Sequence, residues 1–129
     1  MGTAGYVPNF TCAPAQVLSP YRAVRIAGSA FTLSLAEDPV QVVLGVTDGS
    51  TRAFDSTQHA IAGGPVSLQN GRFVQVTAGA ACAVGDLLKV STGGKLVPAA
   101  GDRAFFQACE SASADNEIIW AFRVQTWEI

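Results

Sequence analysis

A chain of 129 residues, 49% hydrophobic and 14% charged, has material for one buried core and far less charge than the roughly 25% usual in soluble domains. Its net charge of −2, with Lys and Arg scattered singly, excludes a basic nucleic-acid-binding surface. The charge deficit implies that part of the surface meets a partner or further copies of the chain rather than water.

The first 21 residues contain no Asp, Glu, Lys or Arg, while Pro8, Pro14 and Pro20 disfavour a helix and push their predecessors towards extended geometry. Residues 1–20 are therefore expected to form an extended arm, ahead of a domain at 21–129. Two readings of the arm stay open. It docks on a neighbour, or it packs on its own domain.

Strand signals begin at Tyr21. Val24 and Ile26 share a parity, residues 27–30 read as a turn, and Phe31, Leu33 and Leu35 alternate with Thr32 and Ser34. After the punctuation of Glu37-Asp38-Pro39, the apolar run at 40–46 suits a strand buried on both faces, closed by Asp48-Gly49-Ser50. Residues 51–64 hold the one short helix the pattern allows, with Asp55 as a cap and Gly63-Gly64 as a stop, and a loop fits as well. Residues 65–68, the Asn70-Gly71 pair and residues 72–76 read as strand, hairpin turn and strand. At 117–129 the alternation places Ile118, Trp120, Phe122 and Val124 on one face and Arg123 and Gln125 on the other. The expected fold is all-β, a small antiparallel β-barrel or sandwich with an N-terminal arm and at most one short helix.

The stretch Thr92-Gly93-Gly94-Lys95 invites a phosphate-loop reading, which fails. The position five before the Gly-Lys pair is Lys89 rather than glycine, Leu96 follows the lysine, and Pro98 blocks a helix. A two-residue turn at Gly93-Gly94 fits instead, with Val90 facing Val97, Lys95 solvated, and Pro98 on an edge strand. Gly85, Asp86, Gly101 and Asp102 frame this hairpin as turn residues, their carboxylates expected to bond local amides.

Other chemistry is weakly supported. His59 is the single histidine, near Asp55 and Ser56, and no nucleophile elbow is present. A surface or capping role is expected for it, and no catalytic residues are assigned. Cys12, Cys82 and Cys109 form no CxxC pair and have no histidine cluster, so free thiols are expected, with no metal and no cofactor. No run reaches the ~18 apolar residues of a membrane helix, and the first residues lack a signal-peptide pattern. No membrane partner is expected, and synthesis in a reducing cytosol fits.

The second half has a cadence. Val76-Thr77-Ala78-Gly79-Ala80, Val84-Gly85-Asp86-Leu87-Leu88-Lys89-Val90, Gly94-Lys95-Leu96-Val97-Pro98-Ala99, Gly101-Asp102-Arg103-Ala104 and Ala108-Cys109-Glu110-Ser111-Ala112 follow in order. Over roughly residues 40–125 this resembles the small capsid decoration, or cement, proteins of tailed bacteriophages. Two features depart from that family: Phe105 and Phe106 stand where small residues are expected, and the insert at 51–64 is longer. The resemblance implies a β-barrel-like homotrimer on the outer capsid surface of the virion, bridging major capsid protein subunits and made in the host cytoplasm. It also makes the arm residues Tyr6, Val7, Pro8 and Phe10 candidate capsid or neighbour contacts. The alternative is a carbohydrate-binding β-module on the virion, stacking sugars on Trp120, Trp127, Tyr6 and Tyr21. A small hydrolase built around His59 is the third reading.

Overall fold

The computed structural model describes residues 10–13, 18–49, 65–101 and 103–128; the arm residues Tyr6, Val7 and Pro8, the 51–64 segment with His59, and Asp102 lie outside them. Ten strands run in chain order: β1 (Phe10–Cys12), β2 (Ala23–Ile26), β3 (Thr32–Leu35), β4 (Gly45–Val46), β5 (Pro65–Val66), β6 (Phe73–Thr77), β7 (Leu87–Ser91), β8 (Lys95–Pro98), β9 (Arg103–Ala108) and β10 (Ile118–Glu128). A 3-10 turn at Thr92–Gly94 is the one helical element among the described residues. The protein is all-β.

Two sheets divide the strands, in the orders β4-β2-β3-β1-β5 and β6-β10-β9-β7-β8. The second sheet is antiparallel and curls into a half-barrel. Its outer strands approach where Ala78 bridges Leu96 and the Gly79 amide donates to the Leu96 carbonyl at 2.8 Å. The first sheet contains one parallel pair, β1 beside β3, because the chain crosses back after β1 before making the β2–β3 hairpin. The described part of the 1–20 segment belongs to this sheet. Phe10 is half-buried and packs edge-to-face on Phe31 with centroids 5.9 Å apart, while Cys12 and Leu18 are buried beside Val24, Leu33 and Val66.

The main core lies between the sheets. Alternation in β7 turns Leu88 and Val90 inward, where they meet Val74, Val76, Leu96, Ile119 and Ala121 from the same sheet and Ala23, Val43 and Val46 from the other. Phe105 and Phe106 are both buried in this cluster. Burying a phenylalanine stabilises by roughly 2–3 kcal/mol, so these two bulky residues are major contributors to this core. Buried Thr47 ties the end of β4 to the chain entering β2, its hydroxyl donating to the Ser19 carbonyl at 2.6 Å and accepting from the Arg22 amide at 3.0 Å.

Three sequence expectations change. The run at 40–46 is a strand only at Gly45–Val46, with Val40 75% and Val42 70% exposed. A turn replaces the rest: the Val40 amide donates to Asp38 at 3.0 Å, and the Gln41 side chain accepts from Glu37 N–H at 3.0 Å. Asn70-Gly71 joins β5 in one sheet to β6 in the other and is not a hairpin turn. The β7–β8 hairpin does form, but its loop holds three residues, so Val90 faces Leu96 and Lys89 faces Val97. The alternation expected for β10 is present, with Ile119 and Ala121 buried and Ile118 and Trp120 outside. Pro98 does sit on an edge strand, β8.

Candidate functional site

The turn residues singled out by sequence are distributed along the second sheet and do not converge on one site. Gly85 has φ 90° and Gly101 φ 75°, both near the open end of the β7–β8 hairpin, where Ala99 N–H bonds the Leu87 carbonyl at 2.8 Å. The Asp86 carboxylate accepts from the Ala83 amide at 2.8 Å, closing the turn around Gly85. Gly93 and Gly94 lie at the opposite end, where the hairpin tip docks on the first sheet. Arg22 Nη1 donates to the Gly93 carbonyl at 2.8 Å, and the Gly93 amide donates to Glu37 Oε2 at 2.6 Å. Lys95 is not simply solvated: its ammonium pairs with Asp115 at 2.9 Å. That bond holds the Asp115 carboxyl below its ordinary pKa.

The surface with functional character is the outer face of β6 and β10. Antiparallel partners share a face, and the register pairs Phe122 with Phe73, Trp120 with Gln75, and Ile118 with Thr77. The outward row therefore carries Phe73, 60% exposed, then Trp120 at 44% and Ile118 at 49%, with Phe122 half-buried beneath Phe73. Phe73 and Phe122 stack at a tilt with centroids 5.1 Å apart, and the Arg72 guanidinium lies 5.8 Å from the Phe122 ring centre. Alternate residues on a strand are about 6.8 Å apart, so Ile118, Trp120 and Phe122 form a stripe about 14 Å long. A contiguous apolar face of this kind is a candidate interaction surface.

The backbone edge beneath this face is closed. Gln69 donates through Nε2 to the Gln75 carbonyl at 2.6 Å and accepts from the Gln75 amide at 2.7 Å through Oε1. One side-chain amide thus replaces a ladder rung, and the Thr77 amide bonds the Tyr21 carbonyl at 3.0 Å. A partner for this surface meets side chains, not an open strand edge.

Arg123 faces the other way. Its guanidinium forks onto the carbonyls of Leu44 at 2.8 Å and Val43 at 2.9 Å, joining β10 to the first sheet. Burial lowers the pKa of both Arg123 and Arg22 from the ordinary arginine value, leaving each a cation at neutral pH. None of the three cysteines is in a disulfide, and Cys12 and Cys82 are buried while Cys109 is exposed. Among the described residues, no group of three His, Cys, Asp or Glu side chains is gathered to hold a metal.

The fold is shared with a solved phage protein. Head fiber gp8.5 N base in bacteriophage phi29 matches with a TM-score of 0.68 at 20% identity, over 91% of this chain and 93% of that one. No family model and no curated protein matches the sequence. The likeness spans both sheets at low identity and is a likeness of fold.

Sequence reasoning placed Ile118, Trp120 and Phe122 together on one face of β10 without saying which face turns outward. The deciding signal lies in β6. In Phe73-Val74-Gln75-Val76 the two valines share one parity, and Gln75 marks the other as outward, carrying Phe73 with it.

Proposed function

We propose that this chain is a structural protein of a phage head, bound to the outside of the assembled capsid and made in the host cytoplasm. It acts as a homotrimer, bridges major capsid protein subunits, and has no catalytic step. The observation that carries the reading is the match in fold, along nearly the whole length of both chains, to a protein described as a head fiber base. The exposed Phe73, Trp120 and Ile118 supply the apolar contact that such attachment needs. At about 25 cal/mol per Å² of apolar surface removed from water, a sheet face of aromatic residues is an effective anchor.

Stabilisation follows from mass action. A protein that binds the closed shell and not free subunits shifts the equilibrium towards the shell. Several linked contacts raise that effect through avidity. The test is co-sedimentation of the purified protein with heads lacking it. Saturable binding to intact heads, and none to dissociated capsid protein, is the expected result; failure to sediment with heads overturns the reading.

Exposed Trp120 also favours the carbohydrate reading. That alternative predicts a saturable change in tryptophan emission on titration with host-surface glycans, and capsid attachment alone predicts none.

A further inference from the structure

We propose that a second surface, the cleft between β2 and the 41–44 segment, binds an extended acidic peptide segment of a partner protein by adding it as a strand to β2. The proposal stands on the cleft itself and goes beyond the capsid reading. The cleft has a volume of about 530 Å³ and is lined by Arg25, Ile26, Gln41, Val42, Leu44 and Arg123 among others.

Three observations converge there. First, the backbone edge is open. The carbonyls of Arg22 and Val24 point to the β4 side, bonded by Thr47 N–H at 3.0 Å and Leu44 N–H at 2.9 Å. Alternation directs the amide and carbonyl of Ile26 to that same edge, but the β2–β4 register ends at Val24↔Gly45. Among the described residues, no strand lies opposite Ile26 on that side. Second, among the described residues the lining carries two guanidiniums and no carboxylate. Arg123 is committed to the Val43 and Leu44 carbonyls, but Arg25 Nε is buried without an acceptor. A buried unpaired donor is costly, and a carboxylate is the acceptor that suits guanidinium geometry best. Third, the lips are apolar, with Ile26 53% and Val42 70% exposed. Strand addition uses these features together, the main chain for affinity and alternate side chains for selection. An incoming strand with an acidic residue at alternate positions would bond the Ile26 main chain, set a carboxylate near the Arg25 guanidinium's charge and cover the lips.

The experiment is an NMR titration of the full chain with three capped peptides: acetyl-Val-Glu-Val-Glu-Val-amide and its Gln and Lys counterparts. The Glu peptide is expected to shift the Ile26 and Val42 amides, slow hydrogen exchange at Ile26, and bind at least about tenfold more tightly than the Gln peptide. Arg25→Gln and Val42→Glu each weaken that binding about tenfold or more, the second from an exposed position that leaves the fold intact. Equal affinity for Glu and Gln peptides, shifts confined to other surfaces, or unchanged binding by Val42→Glu overturns the proposal. So does an Ile26 amide already protected in the free protein, since the edge would then be occupied by the chain itself.

Discussion

Gly94 shows how much a single residue carries. It is buried, with φ 71°, and a Cβ there would come within 2.8 Å of the Ala23 carbonyl and 3.0 Å of Leu35. The positive φ alone costs an L-residue about 1–2 kcal/mol, and the backbone contact cannot yield without moving β2. Gly94→Ala is therefore expected to destabilise by about 2–4 kcal/mol, read as a lowered melting temperature. At the exposed Gly71, with φ 90° but open space around it, only the smaller conformational penalty applies. The turn-forming role of Gly93-Gly94 was legible from composition. The close approach to β2 was not, since it joins residues 71 apart in sequence through Arg22 and Gly93. The neighbouring carboxylates set the acid response. Lys95 lowers the Asp115 pKa, and the Ser113 hydroxyl and amide lower that of Glu117. Because the folded values lie below the unfolded ones, both contributions are present above the ordinary carboxylate range. They are lost as pH falls through the lowered folded values. Melting temperature should thus decline on acidification in that window, and Asp115→Asn with Glu117→Gln should flatten the decline while lowering the neutral-pH value.

At the scale of elements, β10 decides how the surface is read. Its alternation was visible in sequence, the strand exists as expected, and the parity buried is Ile119 and Ala121. Size does not set the buried face here. The buried parity carries Ala121 opposite Val74 and Ile119 opposite Val76, while tryptophan stands on the other parity. The large side chains are turned outward, where a partner can bury them. Phe73→Ser combined with Trp120→Ser should leave the melting temperature nearly unchanged, because both side chains are substantially exposed. The same pair should weaken attachment to heads at least tenfold in a sedimentation assay. A loss of stability with retained attachment would assign the face to the fold instead. The run at 40–46 teaches a related lesson. Hydropathy suggested a buried strand, but the Asp38 and Gln41 side chains bond local amides and build a turn, leaving Val40 and Val42 in water.

For the whole molecule, the all-β class, the closing hairpin and the edge position of β8 followed from alternation, turn residues and Pro98. The division into two sheets did not. It depends on long-range pairing of β6 with β10 and of β1 with β3 and β5, which local periodicity does not specify. Asn70-Gly71 illustrates the gap: the dipeptide announces a turn, while the strands on either side find partners in different sheets. The resulting body has its main core between the sheets, a closed edge under an aromatic face and, among the described residues, no strand opposite Ile26 on the β4 side. Such a body suits a protein that holds other proteins together, and that is the central claim. The most direct measurement is the temperature at which heads release their contents, compared between heads lacking this chain and the same heads after saturation with it. The account predicts a higher release temperature after saturation, rising with occupancy until sites are filled. An unchanged release temperature at full occupancy would contradict it.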